Sequence, residues 1–286
     1  MTICAAWVRK VGGHEELLVA SDSRLSGGRS IDYCPKLLVL PRLDCAVCFA
    51  GSTDLAYPLM LQLSLAAEAH PPSFKRVLDL RPFVTHAVKV FNGMAGAIRT
   101  PVAELKEPDV SFILAGYSWK RKEFEIYTIR YFQWQERFIA RREKRHPAGF
   151  GLVVFRGDVR RKAENAFFRL VQTRCPDPRE RRIDMEPFEV IRDMLRAAQP
   201  HASIGGAPQL AKITQYLSAT TVAVYWPDRS SGVPVLQGRP VLDYEKIDRW
   251  ILDPDTLWLS HQWLGTGSDT RTGLRSDDEV EPAGES

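Results

Sequence analysis

The chain has 286 residues, of which 44% are hydrophobic and 26% are charged, and its 39 basic and 35 acidic side chains leave a formal net charge of +4. This composition is typical of a globular protein, and the small, interleaved charge without a one-sided basic stripe argues against a nucleic-acid partner. The apolar runs are too short to cross a membrane, and the run after Met1 lacks the preceding basic region of a signal peptide. We therefore expect a cytoplasmic protein with no membrane partner.

The five cysteines are an odd number, which fits a reducing compartment. Cys45 and Cys48 have the spacing of a redox or zinc half-motif, but they lie in an apolar run, 45–51, that is typical of a strand. Residues three apart in a strand point to opposite faces, so the two thiols do not converge. We expect both to be buried apolar residues, and we expect no metal or cofactor.

Apolar runs bounded by turn residues predict four short strands in the first half, at 3–8, 16–21, 36–40 and 45–50. A polar, glycine-rich stretch, 23–30, separates the second strand from the third. After Gly51 the apolar residues recur at helical spacing. This pattern predicts a helix over 52–68, capped by Ser52 or Thr53, and a second helix that opens at Asp79.

The second half repeats this order of strands and helices. The predicted elements are a hairpin of 110–117 and 124–131, a strand at 152–156, helices at 161–173 and 187–199, and strands at 209–217 and 221–226. Runs of strands followed by runs of helices favour a layered α+β fold over an alternating parallel sheet. The basic run 141–145 is interpreted as a solvated face. Residues 266–286 are poor in apolar residues and are interpreted as a disordered tail.

Four short strings near the start of the chain resemble those of proteasome β-type subunits, the bacterial Anbu and HslV-like members in particular. They are Thr2 opening the first strand, Ser21-Asp22-Ser23-Arg24 ending the second, Lys36 opening the third, and Phe49-Ala50-Gly51-Ser52-Thr53 joining the fourth to a helix. Weaker matches at 113–117 and 203–208 extend the resemblance to about residues 2–226.

The resemblance implies an N-terminal-nucleophile hydrolase fold over residues 1–265, a four-layer αββα sandwich of two antiparallel sheets between helical layers. It also implies peptide-bond hydrolysis through an acyl-enzyme on Thr2, exposed when Met1 is removed, in a homo-oligomeric ring or helical stack. The helix 52–68 is a candidate subunit contact. The chain has no phosphate-binding Gly-x-x-x-x-Gly-Lys-Ser/Thr loop, so any ATPase unfoldase is expected to be a separate protein.

Elementary chemistry gives each of these residues a role. A threonine hydroxyl needs an adjacent base, and the α-amine of an N-terminal Thr2, with a pKa of about 7.7–8.0, can be that base. The Lys36 ammonium favours the neutral amine because like charges repel. Asp22 holds Lys36 by ion pairing, and the Gly51 N–H donates to the developing oxyanion.

The chain departs from the family pattern in its second half. Where the family has a serine in a Gly-Ser-Gly-like turn, this chain has Arg156-Gly157-Asp158. The family also places an aspartate three residues before a second serine. If Ser203 is that serine, the aspartate position falls on Pro200, or on His201 if the alignment shifts by one residue. Asp158 and Ser203 are therefore the candidate groups that support the Thr2 amine.

The family's substrate pocket, transferred residue by residue, surrounds the side chain before the cut with apolar or neutral groups. Its members are Leu25, Cys34, Leu38, Phe49 and Thr53. A charged substrate side chain would be desolvated there without a partner, so the pocket predicts a preference for apolar residues of modest size. Ser26 and Thr53 are expected to form main-chain hydrogen bonds with an extended peptide.

Two alternatives remain open at this point. One is a non-proteolytic amidase of the same superfamily that acts on a small amide. The other is a catalytically silent scaffold that keeps the fold and the assembly but retains Met1. Comparing activity on peptides with activity on small amides distinguishes the first alternative from a peptidase. The intact mass of the purified protein, which shows whether Met1 is retained, tests the second.

Overall fold

A computed structural model describes residues 2–27, 29–97, 110–146, 149–230 and 233–261. The expected tail, 266–286, and Met1 lie outside the described residues. In the described part the chain is a mixed α+β protein built on two sheets. No helix in that part is long and apolar enough to cross a membrane.

The nine-stranded sheet has the order β10-β1-β2-β11-β12-β13-β14, with β15 beside β12 and β16 beside β15. Its strands are β1 (Ile3–Val11), β2 (His14–Ser21), β10 (Val153–Gly157), β11 (Gln209–Thr214), β12 (Ser218–Trp226), β13 (Val233–Leu236), β14 (Arg239–Pro240), β15 (Trp250–Leu252) and β16 (Leu259–His261). Its pairs are antiparallel except β12 with β15, which run parallel.

The five-stranded sheet is antiparallel and has the order β5-β6-β7-β8-β9. Its strands are β5 (Leu37–Val39), β6 (Cys45–Gly51), β7 (Val110–Ser118), β8 (Glu123–Phe132) and β9 (Arg137–Arg142). A separate antiparallel ribbon joins β3 (Leu25–Gly27) to β4 (Arg29–Ile31).

Five helices lie in the described ranges. They are α1 (Thr53–Ala69), α2 (Pro71–Phe74), α3 (Leu80–Ala95), α4 (Arg160–Arg174) and α5 (Glu186–Arg196), and a single 3-10 turn covers Gln133–Gln135. Ser52 occupies the N-cap position of α1, but its hydroxyl donates to Asp54 and forms no capping bond with the backbone. Ser52 is therefore the N-cap residue, one of the two expected, but its side chain forms no capping bond.

Three apolar clusters make up the core. The first joins the nine-stranded sheet to α4 and α5 and includes Trp7, Phe167 and Phe188. The second joins the five-stranded sheet to α1 and α3. The third contains residues of both sheets, such as Ala6 and Ile113. Alternate residues of β1 enter different clusters, so both faces of that strand are buried, and it reads in sequence as an unbroken apolar run.

Cys45 and Cys48 lie on opposite faces of β6, as expected. Cys45 belongs to the cluster with α1 and α3, and Cys48 belongs to the cluster shared by the two sheets. Burial raises the pKa of both thiols, which keeps them protonated.

Several elements were not predicted. The ribbon β3–β4 lies mostly in the polar stretch 23–30, and β9 overlaps the start of the basic run 141–145. Only Phe138 of β9 is fully buried, because β9 is an edge strand that carries arginine at three of its six positions. The strands β13 to β16 and the short helix α2 are also absent from the prediction, since none has enough residues to display a period.

Candidate active site

Thr2 and Asp22 are brought together by the β1–β2 hairpin. The register pairs Cys4 with Ser21, so the residue that precedes β1 lies beside the residue that follows β2. The Asp22 N–H donates to the carbonyl oxygen of Ile3 at 3.1 Å, and the Ile3 N–H donates to Asp22 Oδ1 at 3.1 Å. These reciprocal bonds fix the Asp22 carboxylate next to the start of β1.

Lys36 reaches this point from the other sheet, one residue before β5. Its Nζ lies 3.0 Å from Thr2 Oγ1 and 3.0 Å from both carboxylate oxygens of Asp22. Lys36 and Asp22 are completely buried, and Thr2 is 2% exposed. A buried lysine that contacts both a hydroxyl and a carboxylate is unusual, because burying the ion pair removes two charges from water.

The Asp22 carboxylate is surrounded by donors. Besides Lys36 and Ile3, the N–H groups of Arg24 and Gly205 donate to Oδ2 at 3.3 and 3.4 Å. Burial raises the pKa of Asp22 above its ordinary value, while the Lys36 ammonium and the N–H groups of Ile3 and Gly205 oppose that increase. The donor set and the adjacent cation favour the charged carboxylate as the working form.

Asp158 lies on the opposite side of Thr2. The Thr2 nitrogen donates to Asp158 Oδ2 at 3.0 Å, and the Asp158 N–H donates to the Thr2 carbonyl oxygen at 3.2 Å. Gly157, the last residue of β10, has φ +116°, and a Cβ there would lie 1.8 Å from the Thr2 carbonyl oxygen. Only glycine therefore permits this close approach, which brings the carboxylate to the Thr2 nitrogen.

Ser203 lies in a turn before β11 and is half-buried. No hydrogen bond joins it to Thr2 among the described residues. The carbonyl oxygens on either side, from Ala202 and Ile204, accept from the Arg24 guanidinium, which also pairs with Asp32 at 2.6 Å. Arg24 thus holds this turn against the end of β2, and the Asp32 carboxylate has a lowered pKa because of that pair.

Gly51 ends β6 with φ +109°, immediately before α1. The strand β6 runs beside Lys36, since the Phe49 N–H donates to the Lys36 carbonyl oxygen at 3.2 Å. Gly51 is two residues further along the same strand. The junction of strand and helix is therefore on the side of the site that Lys36 occupies.

Three of the expected pocket residues, Phe49, Leu25 and Leu38, form one apolar wall, and the Phe49 N–H donates to the Lys36 carbonyl oxygen. Phe49 is fully buried with Tyr57 packed edge-on at 5.3 Å, and Leu25 and Leu38 pack half-buried against the same cluster. Cys34 and Thr53 are also half-buried. Ser26 belongs to β3, but its side chain lies outside the described part.

Gln209 is a residue that sequence reasoning missed. Its Oε1 accepts the N–H groups of Lys36 at 2.9 Å and Leu37 at 3.1 Å, and its Nε2 donates to the Cys34 carbonyl oxygen at 2.6 Å. It is 1% exposed. The sequence places this glutamine at the start of a predicted strand. It does not show that the side chain is buried, which is the feature that would have marked it.

No family model matches this chain. No curated protein matches it either. Among the residues that the structure describes, no three His, Cys, Asp or Glu side chains converge as a metal site would require.

Proposed function

We propose that the chain is an N-terminal threonine hydrolase that cleaves peptide bonds through an acyl-enzyme on Thr2. The observation that carries the proposal is the contact of Lys36 Nζ with Thr2 Oγ1 and both Asp22 oxygens, each at 3.0 Å. A lysine held this way polarises the hydroxyl and places a positive charge near the α-amine. Both effects serve a nucleophile that carries its own base.

The proposed fold is the four-layer αββα sandwich. It is supported by the three clusters, of which one lies between each sheet and its own helices and one is shared by both sheets. In this arrangement Thr2 and Asp22 come from one sheet and Lys36 and Gly51 from the other.

The proposed reaction begins with removal of Met1, which turns the Thr2 nitrogen into a free amine. The amine takes the hydroxyl proton, Oγ1 attacks the peptide carbonyl, and the Gly51 N–H stabilises the oxyanion. The proton then passes to the leaving amine, and water hydrolyses the ester. The Asp158 carboxylate, 3.0 Å from the Thr2 nitrogen, is proposed to orient the amine in place of the family's serine.

The proposed substrates are short or unfolded polypeptides with an apolar residue of modest size before the cut. The support is the apolar wall formed by Phe49, Leu25 and Leu38 beside Lys36. We also propose a homo-oligomeric assembly in which α1 is a contact element. Leu61 and Leu65 on α1 are 50% and 56% exposed, one helical turn apart.

The test uses intact mass and an N-terminal-threonine-directed covalent probe on the purified protein. We expect the mass of the chain without Met1, labelling at Thr2, and hydrolysis of apolar peptides. Thr2→Ala should abolish labelling and turnover, and Thr2→Ser should keep part of both because hydroxyl and amine remain. Retained Met1 would favour the silent scaffold, and turnover of small amides without peptides would favour the amidase.

A further inference from the structure

A cavity of about 570 Å³ lies beside the open edge of the nine-stranded sheet. On one side is β10, the last strand of that sheet, and on the other is a face of the five-stranded sheet that carries Thr128, Arg130 and Phe132 of β8. Within the described ranges no strand pairs with the outer edge of β10. The backbone groups along that edge therefore have no partner strand.

The side chains that line this cavity are strongly basic. Six arginine or lysine residues and two glutamates contribute to the lining. Arg156 is paired with Glu143, Arg142 with Glu125, and Arg145 with Glu15. Arg130, Arg141 and Lys144 are exposed, and no carboxylate of the described residues lies within ion-pair distance of them. These three cations with Arg156 define the edge groove.

The edge groove adjoins the candidate active site from both sheets. Arg156 lies on β10 two residues before Asp158, which accepts the Thr2 N–H. On the other sheet, Arg130 is paired in register with Ser111, and the preceding Val110 is paired with Gly51. One end of the groove is therefore at the same end of the sheets as Thr2 and Gly51.

We propose that the edge groove binds an extended, acidic segment of the substrate polypeptide as an added strand. The proposal rests on the proposed function only in taking the bound polypeptide as a substrate. The positive charges favour carboxylates, and the open edge of β10 offers main-chain hydrogen bonds to an extended chain. The five residues of β10 correspond to about 17 Å of strand, enough for a peptide of similar length.

The aromatic lining favours a peptide over single-stranded nucleic acid. Binding of single strands uses aromatic faces on which bases stack. Phe132 is the aromatic residue of β8 that lines the cavity, and the Arg141 guanidinium lies over its ring at 4.7 Å from the centroid. The guanidinium therefore covers the ring face on which a base would stack.

The test measures binding in the Thr2→Ala protein, so that cleavage does not interfere. A fluorescent ten-residue peptide of alternating Glu and Val is titrated by anisotropy, beside the same peptide with Gln for Glu. We expect the Glu peptide to bind at least tenfold more tightly, with affinity falling as salt rises. N-methylation of alternate amides should weaken binding, because it removes the donors that pair with a strand edge.

A charge-reversal variant and a matched control locate the binding. Arg130→Glu, Arg141→Glu and Lys144→Glu together should weaken binding of the Glu peptide at least tenfold. The control reverses Lys75, Lys120 and Lys122, which are also exposed but line no part of this cavity, and should bind as before. Equal loss in the two variants, equal binding of the Gln peptide, an unaffected N-methylated peptide, or tighter binding of a single-stranded RNA would each overturn the proposal.

Activity measurements separate this inference from the proposed function. In the protein with Thr2 intact, the groove reversals should raise KM for acid-flanked peptides and leave kcat for Gln-flanked peptides unchanged. Binding to the Thr2→Ala protein without any hydrolysis by the intact chain would uphold the groove and reject the proposed function. Hydrolysis whose KM does not depend on the groove would reject the groove alone.

Discussion

Gln209 accepts the backbone N–H of Lys36 at 2.9 Å although 173 positions separate the two residues in sequence. The same side-chain oxygen accepts the Leu37 N–H, and the amide nitrogen donates to Cys34. One side chain from the nine-stranded sheet therefore fixes the backbone segment that carries the lysine of the other sheet.

Gln209→Ala should lower both stability and activity. It leaves two N–H groups and one carbonyl without their partner, and we expect a loss of about 2 to 4 kcal/mol in the free energy of unfolding. Hydrolysis should fall further than stability alone explains, since Lys36 loses its anchor. Urea unfolding and turnover below the transition measure the two effects. Gln199→Ala, at an exposed side chain, should change stability by under about 0.5 kcal/mol, and an equally small effect at Gln209 would contradict the anchoring role.

Lys36→Ala should remove nearly all hydrolysis, because neither the hydroxyl nor the amine keeps its cation. It also leaves the buried Asp22 without its partner, which costs about 3 to 5 kcal/mol. Lys36→Arg should not restore turnover, since the planar guanidinium cannot occupy the position of the ammonium beside Thr2 Oγ1. Initial rates with an apolar peptide test both variants, with Lys120→Ala as the surface control. Near wild-type turnover in either variant would remove Lys36 from the mechanism.

Asp158→Asn should move the acidic limb of the pH–rate profile to lower pH. A carboxylate beside the free α-amine stabilises its charged form, so removing the negative charge lowers the pKa of the amine. The amine is then neutral, and able to act as base, at lower pH than in the wild type. The profile of kcat/KM against pH measures the shift, and an unmoved limb would show that Asp158 does not act on the amine.

His86 should make stability fall as the solution becomes acidic. Its ring stacks on His70 with the centroids 4.9 Å apart, and burial, followed by the nearby His70 and Lys89, lowers the pKa of His86. The unfolded chain then binds a proton below about pH 6.5 that the folded chain does not, so the free energy of unfolding decreases from that pH down to the folded pKa.

The variant His86→Gln tests this dependence. The slope of the free energy of unfolding against pH should become flatter below about pH 6.5, as measured by urea titration at each pH. His201→Gln, at an exposed histidine of the loop before β11, is the control and should leave the slope as it is in the wild type. A wild-type slope in His86→Gln would contradict the assignment.

Resemblance, placed on strand ends that local patterns make visible, predicted the part of the candidate site that comes from the first sixty residues. Thr2, Asp22, Lys36 and Gly51 each stand at the end of a short apolar strand, and such ends are visible from alternation and turn residues. The contact of Lys36 with Thr2 and Asp22 agrees with that prediction. Its catalytic meaning stays a prediction.

The remaining parts depend on contacts that a single sequence does not display. Gln209 at the start of β11 looks like any strand residue until its partners 172 and 173 positions away are known. Ser203 was chosen by resemblance, but its neighbours bind Arg24 instead of Thr2. The edge strand β9 was not predicted, because its arginines interrupt the alternation of apolar and polar residues that marks a half-buried strand.

Because the candidate site is divided between two sheets, we expect it to be completed late in folding. Thr2 and Asp22 can meet as soon as the β1–β2 hairpin forms, because those contacts are local. The Lys36 ammonium arrives only when the second sheet packs against the first and Gln209 engages its backbone. On the proposed mechanism, a half-folded chain therefore carries Thr2 without the lysine that this mechanism requires, and the packing of the two sheets that closes the core also completes the candidate site.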